Sequence, residues 1–242
     1  MGFCLPEQMN SKKQVLREAR NYLEFQKNMG VTAVPRKKIV QQPAGAKNVS
    51  PLLGLQEKKA ALHMLQQSMH DCTRCRLHEK ATQLVFGVGN SAATLMFVGE
   101  APGRDEDAKG EPFVGRAGKL LDKIIEAMGM KREDVYIGNV AKHRPPENRQ
   151  PAADEMATCL PFLREQINII QPKIIVTLGA TAIQGLLATE EKISQLRGKW
   201  INWDGIWVMP TYHPAFLLRN PAMKKPVWED MQKVMEKMKE MA

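Results

Sequence analysis

One segment constrains the fold of this chain more than any other: a glycine-rich, acidic stretch that joins an apolar run to an amphipathic one. The apolar run at residues 94–98 predicts a buried strand. Apolar residues recur at helical spacing over residues 119–128 and predict a helix. Because ligands of open α/β sheets bind beyond the carboxyl ends of the strands, the joining loop is a candidate ligand site.

The joining loop carries groups that suit a planar, polar ligand. Gly99 and Gly103 allow the backbone to approach a ligand closely, and Pro102 stiffens the turn. Phe113 offers a flat face for stacking. Acidic side chains flank the predicted pocket: Glu100, Asp105, Glu106 and Asp107. The loop lacks the Lys-Ser/Thr ending of a P-loop and the glycine spacing of a dinucleotide fingerprint. By itself it also fits a polar loop with a core phenylalanine.

The charge of the chain favours a polyanionic partner. Lys and Arg number 35 against 26 Asp and Glu among 242 residues, so the formal net charge is +9. Such a balance suits a nucleic-acid partner, although it also fits a merely basic protein. No apolar run of about 18 residues and no secretory signal pattern occur, so we expect no membrane partner and a cytoplasmic location.

The chain divides into an amino-terminal extension and one compact domain. Residues 1–54 comprise a predicted amphipathic helix at 11–29 and a flexible arm rich in Pro, Gly and Lys. In residues 55–242, strands at 94–98, 135–140, 173–178 and 206–209 alternate with helices at 118–128, 152–170, 180–188 and 226–241. This alternation predicts an α/β fold, a three-layer α/β/α sandwich with a short, mostly parallel sheet.

Two cysteines have the spacing of metal ligands. Cys72 and Cys75 form a CxxC pair, which brings two thiolates of one turn to one metal centre. The pair alone fits a redox site or half of a zinc site equally well. The remaining cysteines are Cys4 and Cys159.

Four ordered segments resemble the family 4 uracil-DNA glycosylases. The first is the joining loop at 99–118, and the others are YIGNVAKHRPPENR at 136–149, TLGATA at 177–182 and YHPAFLLR at 212–219. Four motifs in the family's order are far more specific than one. The resemblance implies a monofunctional enzyme that hydrolyses the N-glycosidic bond of uracil in DNA and leaves an abasic site. We accordingly expect the protein to be a monomer and to associate with the nucleoid.

The resemblance assigns roles in uracil recognition. Phe113 would stack on the flipped pyrimidine, and the Asn139 carboxamide would pair with uracil N3–H and O4. A neutral His213 would donate a hydrogen bond to the charge that develops on uracil O2. The backbone of three consecutive residues would complete the pocket: Gly99, Glu100 and Ala101.

The residue that positions the attacking water is less well defined. Ala101 stands where the wider superfamily can carry an Asp, and its methyl group cannot activate water. Any assistance from a carboxylate must therefore come from another residue. Glu106 and Glu100 are the candidates.

The segments at 136–149 and 212–219 also suggest contacts with DNA. Either Leu217 or Leu218 would wedge into the duplex to fill the gap left by the flipped base, while the other lies in the core. The candidates for contacts with phosphate are Arg219, Arg144, Arg149 and Lys142.

Family 4 enzymes hold a [4Fe-4S] cluster on four cysteines, and this chain departs from that pattern at one position. Cys72, Cys75 and Cys159 match, but His143 stands at the third ligand position. Because imidazole can replace thiolate on cluster iron, we expect a structural cluster with three Cys ligands and one His. Cys4 is a rival fourth ligand, but it lies across the long amino-terminal arm.

The sequence also fits two other functions. The related family X traps uracil-DNA covalently through a histidine in an inserted loop reading Lys-Arg-Arg-Ile-His, and this chain has Arg-Pro-Pro-Glu-Asn-Arg at 144–149 instead. A catalytically inactive DNA-binding module with a cluster is the second alternative. The presence of Glu100, Phe113, Asn139 and His213 argues against it.

Overall fold

In this computed structural model, which describes residues 53–241, a six-stranded sheet organises the fold. Its strands in chain order are β1 (Val88–Gly89), β2 (Leu95–Gly99), β3 (Tyr136–Asn139), β4 (Ile174–Leu178), β5 (Ile201–Trp203) and β6 (Ile206–Thr211). The order across the sheet is β1-β3-β2-β4-β6-β5. The four central strands are parallel, and the short edge strands β1 and β5 are antiparallel to their neighbours. The carboxyl ends of the central strands therefore share one edge.

Helices connect the strands. They are α1 (Leu55–Ser68), α2 (Arg104–Lys109), α3 (Arg116–Ala127), α4 (Ala153–Ile170), α5 (Ala180–Leu187), α6 (Ile193–Leu196), α7 (Pro214–Arg219) and α8 (Lys224–Glu240). Four short 3-10 turns complete the described elements: Arg76–Glu79, Arg132–Asp134, Pro146–Asn148 and Pro221–Met223. In the part of the chain that the structure covers, no helix is long and apolar enough to span a membrane.

The sheet is covered on both faces, as the continuous apolar character of its central strands requires. Leu95 and Phe97 of β2 point into a cluster that includes side chains of α3 and α8. Met96 and Val98 point into the opposite cluster, with side chains of α1, α4 and α5. The structure thus confirms the three-layer α/β/α sandwich and its mostly parallel sheet.

The structure also adds elements that the sequence analysis did not predict. The joining loop contains α2, whose first turn is closed by Gly103 at the N-cap and Glu106 as the third helical residue. Gly110 follows the last residue of α2 as its C-cap, and its φ of 79° lies in the left-handed region that residues other than glycine rarely adopt. Strands β1 and β5 are only two and three residues long. The expected helix at 11–29, the arm that follows it and Cys4 lie outside the described residues, so the division at residue 54 remains a prediction.

Candidate functional site

A crevice forms where β2 and β3 end side by side. Gly99 and Asn139 are register partners at the carboxyl ends of these parallel strands. A Cβ atom on Gly99 would lie 2.4 Å from Asn139 Oδ1 and 2.5 Å from Phe113 Cζ. Glycine at position 99 therefore allows the amide of Asn139 and the ring of Phe113 to meet at one point.

Asn139 presents an unsatisfied acceptor to this crevice. The side chain is buried, with 2% of its surface exposed, and its Oδ1 has no hydrogen-bond partner among the described residues. A buried polar atom without a partner costs about 1–3 kcal/mol. The arrangement suits a ligand that donates an N–H group to Oδ1.

Phe113 forms a second wall of the crevice. Its ring is buried, and its centroid lies 5.6 Å from that of the His213 imidazole, with 31° between the planes. Its φ of 53° places a bulky residue in the left-handed region, where sterics rarely allow one. The surrounding loop must therefore fix this conformation.

Glu106 is one of the groups that fix the loop. The N–H groups of Val114 and Gly115 donate to its Oε1 at 2.9 Å each, and the N–H of Gly103 donates to Oε2 at 3.1 Å. Both carboxylate oxygens are thus engaged by the backbone around Phe113. Glu100, the other acidic candidate, is half-buried at the end of β2, and its carbonyl accepts the N–H of Ala141 at 3.0 Å.

His213 opens α7 immediately after the last strand. The N–H of Ala215 donates to His213 Nδ1 at 3.1 Å, so the neutral ring carries its proton on Nε2. Burial, together with the charge of Arg219, lowers the pKa of His213 to about 4. Gly179, with a φ of 94°, lies against it: a Cβ there would sit 3.2 Å from His213 Cβ. The TLGATA motif at 177–182 therefore packs against His213.

The two leucines of the last motif face opposite ways. Leu217 is only 1% exposed and packs in the core, whereas Leu218 is 37% exposed. Leu217 is thus not placed to enter a duplex, because its side chain is already enclosed by the protein. Arg219 next to it is exposed. Of the residues expected to contact DNA in this motif, the structure brings Leu218 and Arg219 to the surface.

The basic residues of the second motif are more constrained than the sequence suggests. Arg149 makes two hydrogen bonds of 2.7 and 2.8 Å to the Glu155 carboxylate. Half-buried Arg144 donates from Nε to Asn148 Oδ1 at 2.8 Å. Lys142 is fully buried, so it is not placed to contact a phosphate.

Three cysteines come together between the end of α1 and the interior of α4. Cys72 and Cys75 are half-buried and Cys159 is buried. Burial raises the pKa of the Cys159 thiol to about 11, and the charges of Cys75 and Cys72 add to this effect. The N–H of Lys142 donates to Cys159 Sγ at 3.2 Å, a contact typical of ligating sulfurs. The donor types thus suit a cluster, although across residues 53–241 no three His, Cys, Asp or Glu side chains are arranged to hold a metal ion.

His143 is buried beside this region, with 7% of its surface exposed. Burial lowers its pKa, and the charge of nearby His78 acts in the same direction, while Asp107 opposes it. His78 is itself linked to the CxxC segment, because its Nδ1 lies 2.7 Å from the carbonyl oxygen of Cys75. The fourth candidate ligand thus carries a neutral imidazole at neutral pH.

An ion-pair network that the sequence analysis missed joins the cysteine-bearing segments. Glu155 is fully buried and accepts a 2.7 Å hydrogen bond from Arg76, the residue after Cys75, as well as the two from Arg149. The N–H of Ala152 also donates to it at 2.7 Å. These contacts, with Arg149 first, lower the pKa of Glu155 to about 2. A Glu in the first turn of a helix gives no signal in the sequence that it will pair with an arginine 79 residues away.

Comparisons with known proteins agree with the geometry. The model of the uracil DNA glycosylase superfamily matches residues 86–232. The type-4 uracil-DNA glycosylase of Saccharolobus solfataricus is 45% identical over 184 residues, which cover 72% of this chain and 85% of that protein. The type-4 uracil-DNA glycosylase of Thermotoga maritima is 44% identical over 180 residues, or 73% of this chain and 94% of that protein. A type-5 uracil-DNA glycosylase of Pyrobaculum aerophilum is 32% identical over 146 residues, which cover 52% of this chain and 63% of that protein.

Proposed function

Since this chain belongs to the uracil-DNA glycosylase superfamily and, within it, to the type-4 enzymes, we propose that it hydrolyses the N-glycosidic bond of uracil in DNA. The products are free uracil and an abasic site. The observation that carries the proposal is Asn139 Oδ1, which no group of residues 53–241 pairs, beside the ring of Phe113, whose centroid lies 5.6 Å from that of the His213 imidazole. A planar base with one N–H group and two carbonyl oxygens fits these three groups.

Recognition depends on reading the Watson–Crick edge of a flipped base. Phe113 stacks on the pyrimidine, Asn139 Oδ1 accepts the N3–H of uracil, and the amide NH₂ donates to O4. Cytosine lacks the N3–H and carries an amino group at position 4, so it pairs with Asn139 only if the amide turns over and exchanges its donor and acceptor. The backbone of 99–101 lines the remaining side of the pocket: Gly99, Glu100 and Ala101.

Catalysis depends on charge that develops as the bond between C1′ and N1 breaks. The bonding electrons move onto uracil, and the sugar gains oxocarbenium character. His213 donates from Nε2 to uracil O2 and stabilises this charge without protonating the base, since its ring is neutral. Water then adds to C1′, and the proton that it loses passes through solvent to the departed uracil anion, which gives free uracil. We assign the positioning of this water to Glu100, because both oxygens of Glu106 are engaged by the backbone.

DNA contacts follow from the exposed part of the last motif. Leu218 serves as the wedge that fills the gap left by the flipped base, and Arg219 contacts a phosphate beside it. Arg144 is a second phosphate contact, and Arg149 contributes only through the part of its side chain that Glu155 leaves exposed. The protein acts on single- or double-stranded DNA as a monomer.

We also propose that the protein carries a [4Fe-4S] cluster with Cys72, Cys75, Cys159 and His143 as ligands. The proposal is supported by the electrostatic influence of Cys72 and Cys75 on the Cys159 thiol and by the N–H donor on the Cys159 sulfur. The cluster would supply covalent cross-linking of two segments rather than redox chemistry. These are the CxxC turn and the segment from Asn139 to Cys159, which carries Arg144 and Arg149.

A cleavage assay tests the proposed function. The protein is incubated with a labelled oligonucleotide containing one uracil, then treated with alkali and analysed by denaturing electrophoresis. Strand breakage at the uracil, absent from a thymine-containing control, is the expected result. A protein–DNA adduct that survives denaturant would instead identify a covalent trap. Binding without cleavage or adduct would identify an inactive DNA-binding module.

A further inference from the structure

The strained backbone of Phe113 is held from its amino side by a residue outside the four motifs. Arg132, in the 3-10 turn Arg132–Asp134, donates from Nη2 to the carbonyl oxygen of Pro112 at 2.5 Å. Its Nη1 donates to Asp122 Oδ1 of α3 at 2.7 Å. The guanidinium therefore connects the residue before Phe113 to the helix that follows it.

The other contacts around Phe113 act on its carboxyl side. Glu106 accepts the N–H groups of Val114 and Gly115. Gly118 of α3 packs directly on the loop, because a Cβ there would lie 1.9 Å from the Phe113 carbonyl oxygen. Without Arg132, the Pro112 end of the loop would lose the only side-chain hydrogen bond that the described residues give it.

We infer that Arg132 is a positioning residue for uracil recognition: it fixes Phe113 in its left-handed conformation and so places the ring against His213. The inference rests on the proposed function. The peptide that Arg132 holds is the one between Pro112 and Phe113, whose rotation sets φ of Phe113. When this peptide is released, the backbone can relax towards the extended or right-handed regions that a phenylalanine prefers. The ring then leaves the position that allows it to stack on a flipped base.

A double-mutant cycle distinguishes this role from a merely structural one. Arg132→Ala, Phe113→Ala and the combined variant are compared in single-turnover release of uracil. Binding to DNA that carries a non-hydrolysable 2′-fluoro uracil nucleotide is measured beside thymine-containing DNA. We expect Arg132→Ala to slow release about tenfold, as removal of a charge-assisted hydrogen bond predicts, and to reduce the preference for uracil. In the Phe113→Ala background, the same change should cost less than about twofold, because the two residues act through one ring.

Two further variants control for folding. Lys131→Ala changes an exposed neighbour, whose ammonium lies 3.5 Å from the exposed Glu133 carboxylate, and should release uracil at the wild-type rate. Arg132→Lys keeps a cation that can reach the Pro112 carbonyl and should lose less activity than Arg132→Ala. If Arg132→Ala does not fold, Arg132→Lys takes its place in the double-mutant cycle.

The outcomes separate the inference from the function on which it rests. If the wild-type protein releases uracil and the losses from Arg132→Ala and Phe113→Ala simply multiply, Arg132 does not act through Phe113 and the inference is wrong. An unchanged preference for uracil in Arg132→Ala would overturn it as well. No release by the wild-type protein would overturn the proposed function and the inference together.

Discussion

The ring of Phe113 and the imidazole of His213 lie 5.6 Å apart, although 100 positions separate them in the chain. Phe113 lies in the loop after β2, and His213 lies just after the end of β6. Asn139, on the strand between β1 and β2 in the sheet, adds the amide to the same crevice. In the proposed function, a base that stacks on Phe113 would lie beside the hydrogen-bond donor of His213, so recognition and bond cleavage would share one crevice.

His213→Ala should lower the single-turnover rate of uracil release by about 10²–10³, since it removes a donor aimed at developing charge. Affinity for uracil-containing DNA should change little. His213→Asn keeps an acceptor at the N-cap of α7 and should retain the melting temperature while losing the rate. His63→Ala, at an exposed position on α1, is the matched control. An unchanged rate in His213→Ala would reassign His213 to structure.

The rate at saturating enzyme should not depend on His213 ionisation near neutral pH. The pKa of His213 is lowered to about 4, so the neutral ring with its Nε2 proton persists well below its ordinary pKa of 6.5. The contribution of His213 should be constant from about pH 8 to about pH 5.5 and change only as the pH falls towards 4, where protonation of Nδ1 removes the acceptor for the Ala215 N–H that orients the ring. The contribution of His213 is measured as the ratio of the wild-type rate to the His213→Ala rate at each pH. A ratio that drops with a midpoint near 6.5 would contradict an imidazole that stays neutral well below its ordinary pKa.

The contribution of His213 to stability should change in the same direction. The unfolded chain takes up a proton near the ordinary pKa of 6.5, whereas the folded protein does so only near 4. The unfolded state therefore binds more protons between these values, and the free energy of unfolding decreases as the pH falls through that window. The loss should be smaller in His213→Ala, as denaturant unfolding at pH 7 and pH 5 would show.

Gly99→Ala should abolish most uracil release with a modest effect on stability. The new Cβ would fall within 2.5 Å of both the Asn139 amide and the Phe113 ring, so these side chains must separate. Single-turnover rates and thermal melting measure the two effects. Gly54→Ala is the control, because its Cβ would meet only Glu57 Oε2, at an ordinary 3.5 Å. A Gly99→Ala enzyme with wild-type activity would show that the crevice is not the uracil pocket.

Asn139→Asp should weaken the preference for uracil over cytosine. The carboxylate has no donor for uracil O4, and in its protonated form it can donate to cytosine N3. We expect slower uracil release and a higher ratio of cytosine to uracil cleavage. Asn202→Asp introduces the same charge on edge strand β5 and should leave the ratio unchanged. Equal ratios in wild type and Asn139→Asp would show that Asn139 does not discriminate uracil from cytosine.

The central strands could be predicted because their burial on both faces leaves a continuous apolar run. The run at 94–98 became β2 with a shift of one residue, and the run at 173–178 became β4. The edge strands were missed, since two or three residues carry no measurable alternation. Helix α2 was missed because five of its six residues are charged, and it depends on Gly103, Glu106 and Gly110 rather than on an apolar face.

The site was predictable as far as its motifs extend and no further. The resemblance pointed to Phe113, Asn139 and His213, which the structure brings to one crevice. It could not show that Glu106 is occupied by the backbone, or that Leu217 is buried while Leu218 is exposed. Side-chain direction depends on long-range packing that a single sequence does not display.

The ligand set of the proposed cluster gives the last prediction. Anaerobically purified protein should be brown and contain about four irons per chain. His143→Cys should retain the cluster, since it restores four thiolates, and His143→Ala should lower both the iron content and the melting temperature. Cys4→Ser should change neither and is the matched control. Iron that survives His143→Ala but is lost in Cys4→Ser would show that Cys4 is the fourth ligand. Colourless protein with stoichiometric zinc would replace the cluster by a zinc site, for which three Cys and one His are equally suitable.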